Sequence, residues 1–362
     1  MVNTDVAHPG WLPNKLVKLE IPQRAVAVTR VIGVQDKRLV LLAPTQNAKT
    51  LWPHPNTPAT VIIESGGQEF RSPGIIRERK LKPLPLLYLE LERDIPFAAC
   101  AEERQKKILA IASGKGGTGK TFIAVNLAWE LATLGHKVVL VDLDLGTANV
   151  TTALGIQTQS DLAQVIDGSK PICEVEYRLA ANLSIIPGIA KNSEYAALSP
   201  WQFQRLIDSL SLLEEKWEYI LLDTSAGLSP NTTSFLYCAD YIVLVINDAP
   251  PAIIDGYGLI KAVHSQFWPP KIGLIVNRAF HASEAEECAQ RFITTAKEFL
   301  SVPVSYLGPV HEDTAVIASI RASRPTLALY PQAKASSDLK AVTGRILQAV
   351  TESEIKYRRV LP

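Results

Sequence analysis

The run Gly114-Lys115-Gly116-Gly117-Thr118-Gly119-Lys120-Thr121 constrains this chain more than any other feature. It fits GxxxxGK[ST]. It also stands between a short apolar strand signal, Lys107 to Ala112, and a segment, Lys120 to Leu134, whose apolar residues recur at helical spacing until Gly135 can end it. The glycines let successive backbone N–H groups turn inward on anionic oxygens, and the helix N-terminus adds the positive end of its dipole. In that setting Lys120 is placed to pair with β and γ phosphates and Thr121 to ligate Mg²⁺. A nucleoside triphosphate and a magnesium ion fit such a loop.

The rest of the chain supplies the context. At 362 residues it exceeds the usual size of one core, so two domains are expected. The first hundred residues have a strand-and-turn texture. Arg24 to Val34, a turn at Gln35-Asp36-Lys37 and Arg38 to Ala43 read as one hairpin; Ala59 to Glu64, Ser65-Gly66-Gly67 and Gln68 onward as another; Leu84 to Leu91 as a further strand. Such short strands without helical period predict a small β-barrel-like domain over 1–97, with 98–106 as a short helical connector. From Lys107 to Val350 apolar runs at Lys137 to Val141, Tyr219 to Leu222, Tyr241 to Ile246, Lys271 to Val276 and Val304 to Leu307 alternate with helix-length segments. This predicts an α/β P-loop domain with a doubly wound, mostly parallel sheet, followed by a tail over 351–362.

Three aspartates end apolar strands. Val141-Asp142-Leu143-Asp144 carries two of them two residues apart, on one side of the strand, and Leu221-Leu222-Asp223 carries the third. An open α/β sheet binds its ligands at the carboxyl ends of such strands. One aspartate there is as easily a helix cap, but three beside a phosphate loop point to metal and water handling.

Composition narrows the partners. Hydrophobic residues make up 47% and charged residues 20%, an ordinary folded protein, and a formal net charge of +1 gives no global attraction to nucleic acid. Cys100, Cys173, Cys238 and Cys288 are far apart without a CxxC pair, and are expected to be reduced and mostly packed. Met1 to Asn14 does not read as a secretory signal, and no run approaches eighteen apolar residues. A cytoplasmic protein is expected, with peripheral contact at the inner face of the membrane left open.

Lys115 is a second lysine inside the loop, more charge than one phosphate cradle needs. With it, Ser113 to Thr121 resembles the deviant Walker A loop of the MinD/ParA ATPases, whose extra lysine reaches the partner subunit's nucleotide in an ATP sandwich dimer. The resemblance spans about Lys107 to Val350 and implies slow, partner-regulated ATP hydrolysis and a homodimer formed with ATP. Residue by residue, it implies that Lys115, Lys120 and Asp144 carry catalysis, with Asp144 positioning the attacking water. Gly114 to Thr121 would hold the nucleotide, Thr121, Asp142 and Asp223 would serve Mg²⁺ and its waters, and Asn277 in Val276-Asn277-Arg278 would read adenine. Gly308-Pro309-Val310-His311-Glu312-Asp313 corresponds to the loop beside the base, with His311 where relatives tend to have proline.

Within the family, Asp144 to Val150, Ile185-Ile186-Pro187-Gly188, Asp223 to Ser229 and Tyr306-Leu307-Gly308 are similar to regulators of flagellar number of the FlhG type. That implies control of flagellar placement or number, with an FlhF-like GTPase or flagellar switch and basal-body proteins as partners. Two features depart from that pattern. Glu102 to Lys107 stands where a GTPase-activating DQ-type motif is expected, and Thr351 to Val360 is a poor interfacial anchor. Leu39 to Pro44 and the strand order ahead of the ATPase resemble the N-terminal domain of YcgR/PilZ flagellar brakes, without the paired arginines and DxSxxG of a cyclic-di-GMP site. Arg71, Arg77, Arg79, Lys80 and Lys82 are either a dock for an acidic partner or a solvated strand face. The alternatives are a ParA-like partition protein on DNA, which the neutral charge opposes, and a pilus-assembly localiser.

Overall fold

The structure is a computed structural model that describes residues 16–22, 26–35, 38–46, 49–65, 68–80, 85–92, 107–189, 195, 197–265 and 271–358. The expectations for Met1–Asn14, the hairpin tips at 36–37 and 66–67, Lys82, the connector 98–106 with Cys100, and the last four residues lie outside the described residues. Two compact units divide the chain, one holding residues 1–104 and the other most of 105–353.

In the first unit the strands are β1 (Leu16–Glu20), β2 (Ala27–Gln35), β3 (Arg38–Leu42), β4 (Thr45–Gln46), β5 (Lys49–Thr50), β6 (Thr57–Ser65), β7 (Gln68–Lys80) and β8 (Leu86–Leu91). A closed barrel runs β1-β2-β3-β8-β7-β6, with β4 and β5 as a separate ribbon. Both hairpins read from the sequence form, β2 with β3 and β6 with β7. The closing strand β1 pairs with β2 on one side and β6 on the other. Alternate residues fill the interior: Val17 and Leu19, Leu39 and Leu41, Ala59, Val61 and Ile63, Leu87 and Leu89. This is the period-2 signature of a small barrel.

The basic residues on this unit are answered locally. Arg71 pairs with Glu20 and Glu69, and Arg77 with Glu90. Arg79 lies 5.6 Å from the Trp52 ring centroid and donates to the Trp52 and Pro53 carbonyls, while Lys80 sits 4.7 Å from that of Tyr88. Each of these four cations thus has a partner within its own unit, as on a solvated strand face.

The second unit comprises β9 (Lys107–Ala112), α1 (Lys120–Thr133), β10 (Val138–Leu143), α2 (Asn149–Ala153), α3 (Leu162–Asp167), β11 (Tyr177–Ala180), β12 (Leu183–Ile186), α4 (Pro200–Leu213), β13 (Tyr219–Thr224), α5 (Pro230–Tyr237), β14 (Tyr241–Ile246), α6 (Pro250–His264), β15 (Lys271–Ala279), α7 (Ala282–Leu300), β16 (Val304–His311), α8 (Thr314–Arg321), α9 (Thr326–Leu329) and α10 (Lys334–Arg358). Its sheet runs β11-β12-β10-β13-β9-β14-β15-β16, parallel throughout except for the antiparallel edge strand β11. Every residue of β10 and β14 is buried, as expected where helices cover both faces of a parallel sheet. Leu109, Ile111, Leu140, Leu221 and Val243 meet Ile123, Leu127 and Leu131 of α1 and Leu339, Val342 and Ile346 of α10 in one core. Helix α10 continues to Arg358, so residues 351–358, expected as a tail, extend the last helix. Nothing in Thr351-Glu352-Ser353-Glu354-Ile355-Lys356 breaks a helix; the next proline is Pro362.

Candidate nucleotide site

Parallel register brings the site together. β10 and β13 align Asp142 with Asp223, and β13 aligns Asp223 with Ile111 of β9, the strand that runs into the phosphate loop. All three aspartates and the loop therefore meet at the carboxyl edge of the sheet, where the sequence placed them.

Packing and side-chain donors fix the loop. Gly119 precedes α1 with φ +94°, a left-handed conformation, and a Cβ there would come within 2.2 Å of Asn277 Nδ2. A Cβ on Gly114 would lie 2.0 Å from the Asp255 carbonyl carbon of α6, so this glycine is required by close backbone approach. Asn277 Nδ2 donates to the Thr118 carbonyl at 2.8 Å, Ser113 Oγ to the Lys115 carbonyl at 2.8 Å, and Gly227 N to the Ser113 carbonyl at 3.0 Å. Asn277 is 3% exposed and, as it stands, anchors the phosphate loop from the end of β15.

The two lysines differ in burial. Lys120 is buried, and its charge acts on the Asp223 carboxylate. Lys115 is exposed and, among the described residues, its ammonium has no hydrogen-bond or ion-pair partner.

Around the carboxylates, Thr121 Oγ1 donates to Asp223 Oδ2 at 2.6 Å. Asp223 is fully buried and its Oδ1 has no partner among the described residues; Thr118 Oγ1 is likewise buried and unpaired. Burial raises the Asp223 pKa to about 6, with Lys120 and the Thr121 hydroxyl pulling the other way. Burial and the neighbouring Asp223 charge push Asp142 up to about 8, against the N–H groups it accepts. A buried hydroxyl on an orphaned carboxylate, beside a second carboxylate that is costly to ionise, fits a hydrated divalent cation, whose charge would favour both anions.

Asp142 and Asp144 lie two apart but behave differently. Asp142 Oδ1 accepts from Asp144 N at 3.1 Å and Oδ2 from Val150 N at 2.9 Å, so both oxygens hold the backbone of the 144–150 turn. Asp144 is only partly buried: Ser225 Oγ donates to its Oδ1 at 3.0 Å and Asn149 Nδ2 to its Oδ2 at 2.7 Å. Neither donor was assigned a role from sequence. The available signal was a pair of short polar side chains in the Gly-containing turns after β10 and β13.

The loop expected beside the base ends β16, where His311 is in register with Ala279 of β15. Both His311 N and Nδ1 contact Asp338 Oδ2 of α10, at 3.0 and 2.6 Å, and Lys334 Nζ reaches Oδ1 at 2.9 Å. Burial opposes ionisation of Asp338, but these partners outweigh it and hold the carboxyl below its ordinary range. Of the cysteines described, Cys238 and Cys288 are buried and Cys173 is exposed, all as free thiols.

Comparison with known proteins agrees with both units. Residues 106–266 match a family described as "AAA domain", and residues 13–91 one described as "Flagellar protein YcgR". The antiactivator FleN of Pseudomonas aeruginosa is 32% identical over 240 residues, 66% of this chain and 86% of FleN. The flagellum site-determining protein YlxH of Helicobacter pylori is 28% identical over 243 residues, 67% of this chain and 82% of YlxH. Among solved structures, the septum site-determining protein MinD of Pyrococcus horikoshii, complexed with Mg-ADP, superposes with a TM-score of 0.57 at 26% identity, over 67% of this chain and 96% of that one.

Proposed function

The chain belongs to the MinD/ParA-type P-loop ATPases, the family that includes FleN and MinD, and from that premise we propose that it is an ATP-dependent dimerising switch that regulates the placement or number of flagella. Two named relatives are an antiactivator and a flagellum site-determining protein, and residues 13–91 match a flagellar protein family, so both parts of the chain point to the same organelle.

The nucleotide is ATP with Mg²⁺, held by the backbone of Gly114 to Thr121 and by Lys120, with Thr121 and Asp223 serving the metal. Bound Mg²⁺ supplies charge neutralisation between the phosphates. Asn277 keeps Thr118 in place with one amide N–H, leaving the other N–H and its carbonyl to read adenine. Asp144 orients the attacking water. Hydrolysis is slow and regulated by a partner.

The observation that carries the switch is Lys115: an exposed, unpartnered cation beside a site that already has Lys120. A second copy facing the same site gives that charge a phosphate to meet. The partners proposed beyond the homodimer are flagellar switch or basal-body proteins, or an FlhF-like GTPase. Among the described residues no helix is long and apolar enough to cross a membrane, and the proposed location is the cytoplasm, with at most peripheral contact at the membrane's inner face.

Light scattering on purified Asp144→Ala with Mg²⁺ and ATP tests the switch. A mass that doubles with ATP, stays monomeric with ADP and stays monomeric in Lys120→Ala supports it. A monomer throughout, with ATP demonstrably bound, overturns it.

A further inference from the structure

We infer that Ser225 and Asn149 are positioning residues for hydrolysis, holding the Asp144 carboxylate in the orientation that aligns the attacking water. The inference rests on the reading of Asp144 as the water-orienting residue.

Each carboxylate oxygen of Asp144 carries one side-chain donor, Ser225 Oγ on Oδ1 and Asn149 Nδ2 on Oδ2. A carboxylate oxygen accepts about two hydrogen bonds, so each keeps a lone pair for water while the plane of the group is fixed from both sides. Ser225 Oγ also lies 3.4 Å from the Leu143 carbonyl, but a hydroxyl has one hydrogen and the 3.0 Å contact to Asp144 is the shorter. Asn149 is committed on both N–H bonds, the second going to Thr147 Oγ1 at 2.9 Å.

The backbone is bent to make this possible. Gly146 N donates to the Asp144 carbonyl at 2.7 Å, tightening the turn, and Ala148 takes φ 40° and ψ 58°, a left-handed conformation that costs a non-glycine residue free energy. Val150 N is then fastened to Asp142 Oδ2. Such a turn returns the Asn149 side chain to the carboxylate five residues behind it. The other donor comes from a different strand: Ser225 follows β13, and two residues later Gly227 N bonds the Ser113 carbonyl at the root of the phosphate loop. The orientation of Asp144 is thereby tied to the phosphate loop through Ser225.

In the reaction the water oxygen bonds to the γ-phosphorus and the bridging oxygen leaves with ADP. The proton the water gives up ends on the phosphate product, so Asp144 need only align the water. Loosening its carboxylate lowers the turnover rate and leaves substrate binding alone.

The test is steady-state Mg-ATP hydrolysis by the full chain, with nucleotide affinity measured separately by a fluorescent ADP analogue. Ser225→Ala should lower kcat about tenfold, in the range of a charge-assisted hydrogen bond, with KM and ADP affinity within twofold of the parent. Ser225→Thr, which keeps the hydroxyl, should restore kcat to within about threefold. Asn149→Ala should behave as Ser225→Ala does. Unchanged kcat in both alanine variants, while Asp144→Ala abolishes turnover, overturns the inference and leaves the ATPase intact. A rise in KM or ADP Kd that matches the fall in kcat/KM also overturns it, because it marks a role in nucleotide binding, and so does no rescue by threonine, because the hydroxyl is then not what matters. No turnover by the parent, or turnover indifferent to Lys120→Ala, instead defeats the ATPase reading on which the inference rests.

Discussion

Replacing Asn277 by alanine separates two jobs that one amide is asked to perform. Its Nδ2 donates to the Thr118 carbonyl at 2.8 Å from a site only 3% exposed, so the substitution leaves a carbonyl in the middle of the phosphate loop without its partner. An unsatisfied buried acceptor costs about 1–3 kcal/mol. Part of that appears as lost stability. If the loop must recover the bound geometry when phosphate arrives, the remainder appears as weaker binding, up to about 150-fold at the upper limit. Titration calorimetry with ATP and with inorganic triphosphate distinguishes the roles. A loop anchor predicts that both affinities fall by the same factor, because both ligands need Thr118 and its neighbours in place. A base reader predicts a loss for ATP alone. Together the roles predict a common loss with a further decrement for ATP. Unchanged triphosphate affinity in a folded Asn277→Ala protein would refute the anchoring argument.

Lys115→Ala should leave the melting temperature unchanged, since surface substitutions without partners stay within about 0.5 kcal/mol, while removing the ATP-dependent doubling of mass. Gly114→Ala forces a Cβ to 2.0 Å from the Asp255 backbone, where no flexible side chain can yield; overpacking of about 1–3 kcal/mol should lower the melting temperature by several degrees in a thermal scan. Asp338 has a depressed carboxyl pKa in the folded state, so its stabilisation is present above the ordinary aspartate value near 4 and fades as pH falls through the folded value. Asp338→Asn should therefore melt below the parent at pH 7, with the gap narrowing at pH 3.5. An equal gap at both pH values would contradict the ionic account.

Much of this was legible because it is written in local chemistry. Gly114 to Thr121 announces itself by spacing, and the strands around it by continuous apolar runs that two covered faces demand. The barrel was readable from short apolar strands set between turns and lacking helical period, such as Arg38 to Leu42 and Leu86 to Leu91, though its closure through β1 pairing with β6 depends on contacts between distant segments that no local pattern encodes. What the sequence concealed was how Asp142 and Asp144 are held. Alternation puts both on one side of a strand, yet the strand ends at Leu143 and the turn beyond it re-aims the second carboxylate. Only the fold reveals that one accepts backbone N–H groups while the other accepts Ser225 and Asn149. The helix α10 runs on through 351–358, expected as a tail, because no glycine or proline intervenes there to stop it.

The same register that assembles the site also makes it unfavourable on its own. Parallel pairing sets Asp142 beside Asp223 on adjacent strands, both fully buried. Burial raises both pKa values, with the Asp223 charge adding to it at Asp142 and the Asp144 charge at Asp223, while Lys120 and the Thr121 hydroxyl offset it at Asp223, which still retains an oxygen without a partner among the described residues. A fold selected for stability alone would replace one of the pair with an apolar residue, as the other residues of β10 and Ile220 to Leu222 of β13 are apolar. Retaining the pair makes sense where a cation and a phosphate complete the electrostatics, so that binding relieves a cost already built into the empty fold. Replacing Asp223 by asparagine should then raise the melting temperature of the nucleotide-free protein while abolishing Mg²⁺-dependent nucleotide binding. Scanning fluorimetry with and without Mg-ADP reads both effects, and a destabilised nucleotide-free Asp223→Asn protein would show that the pair contributes to folding and refute the argument.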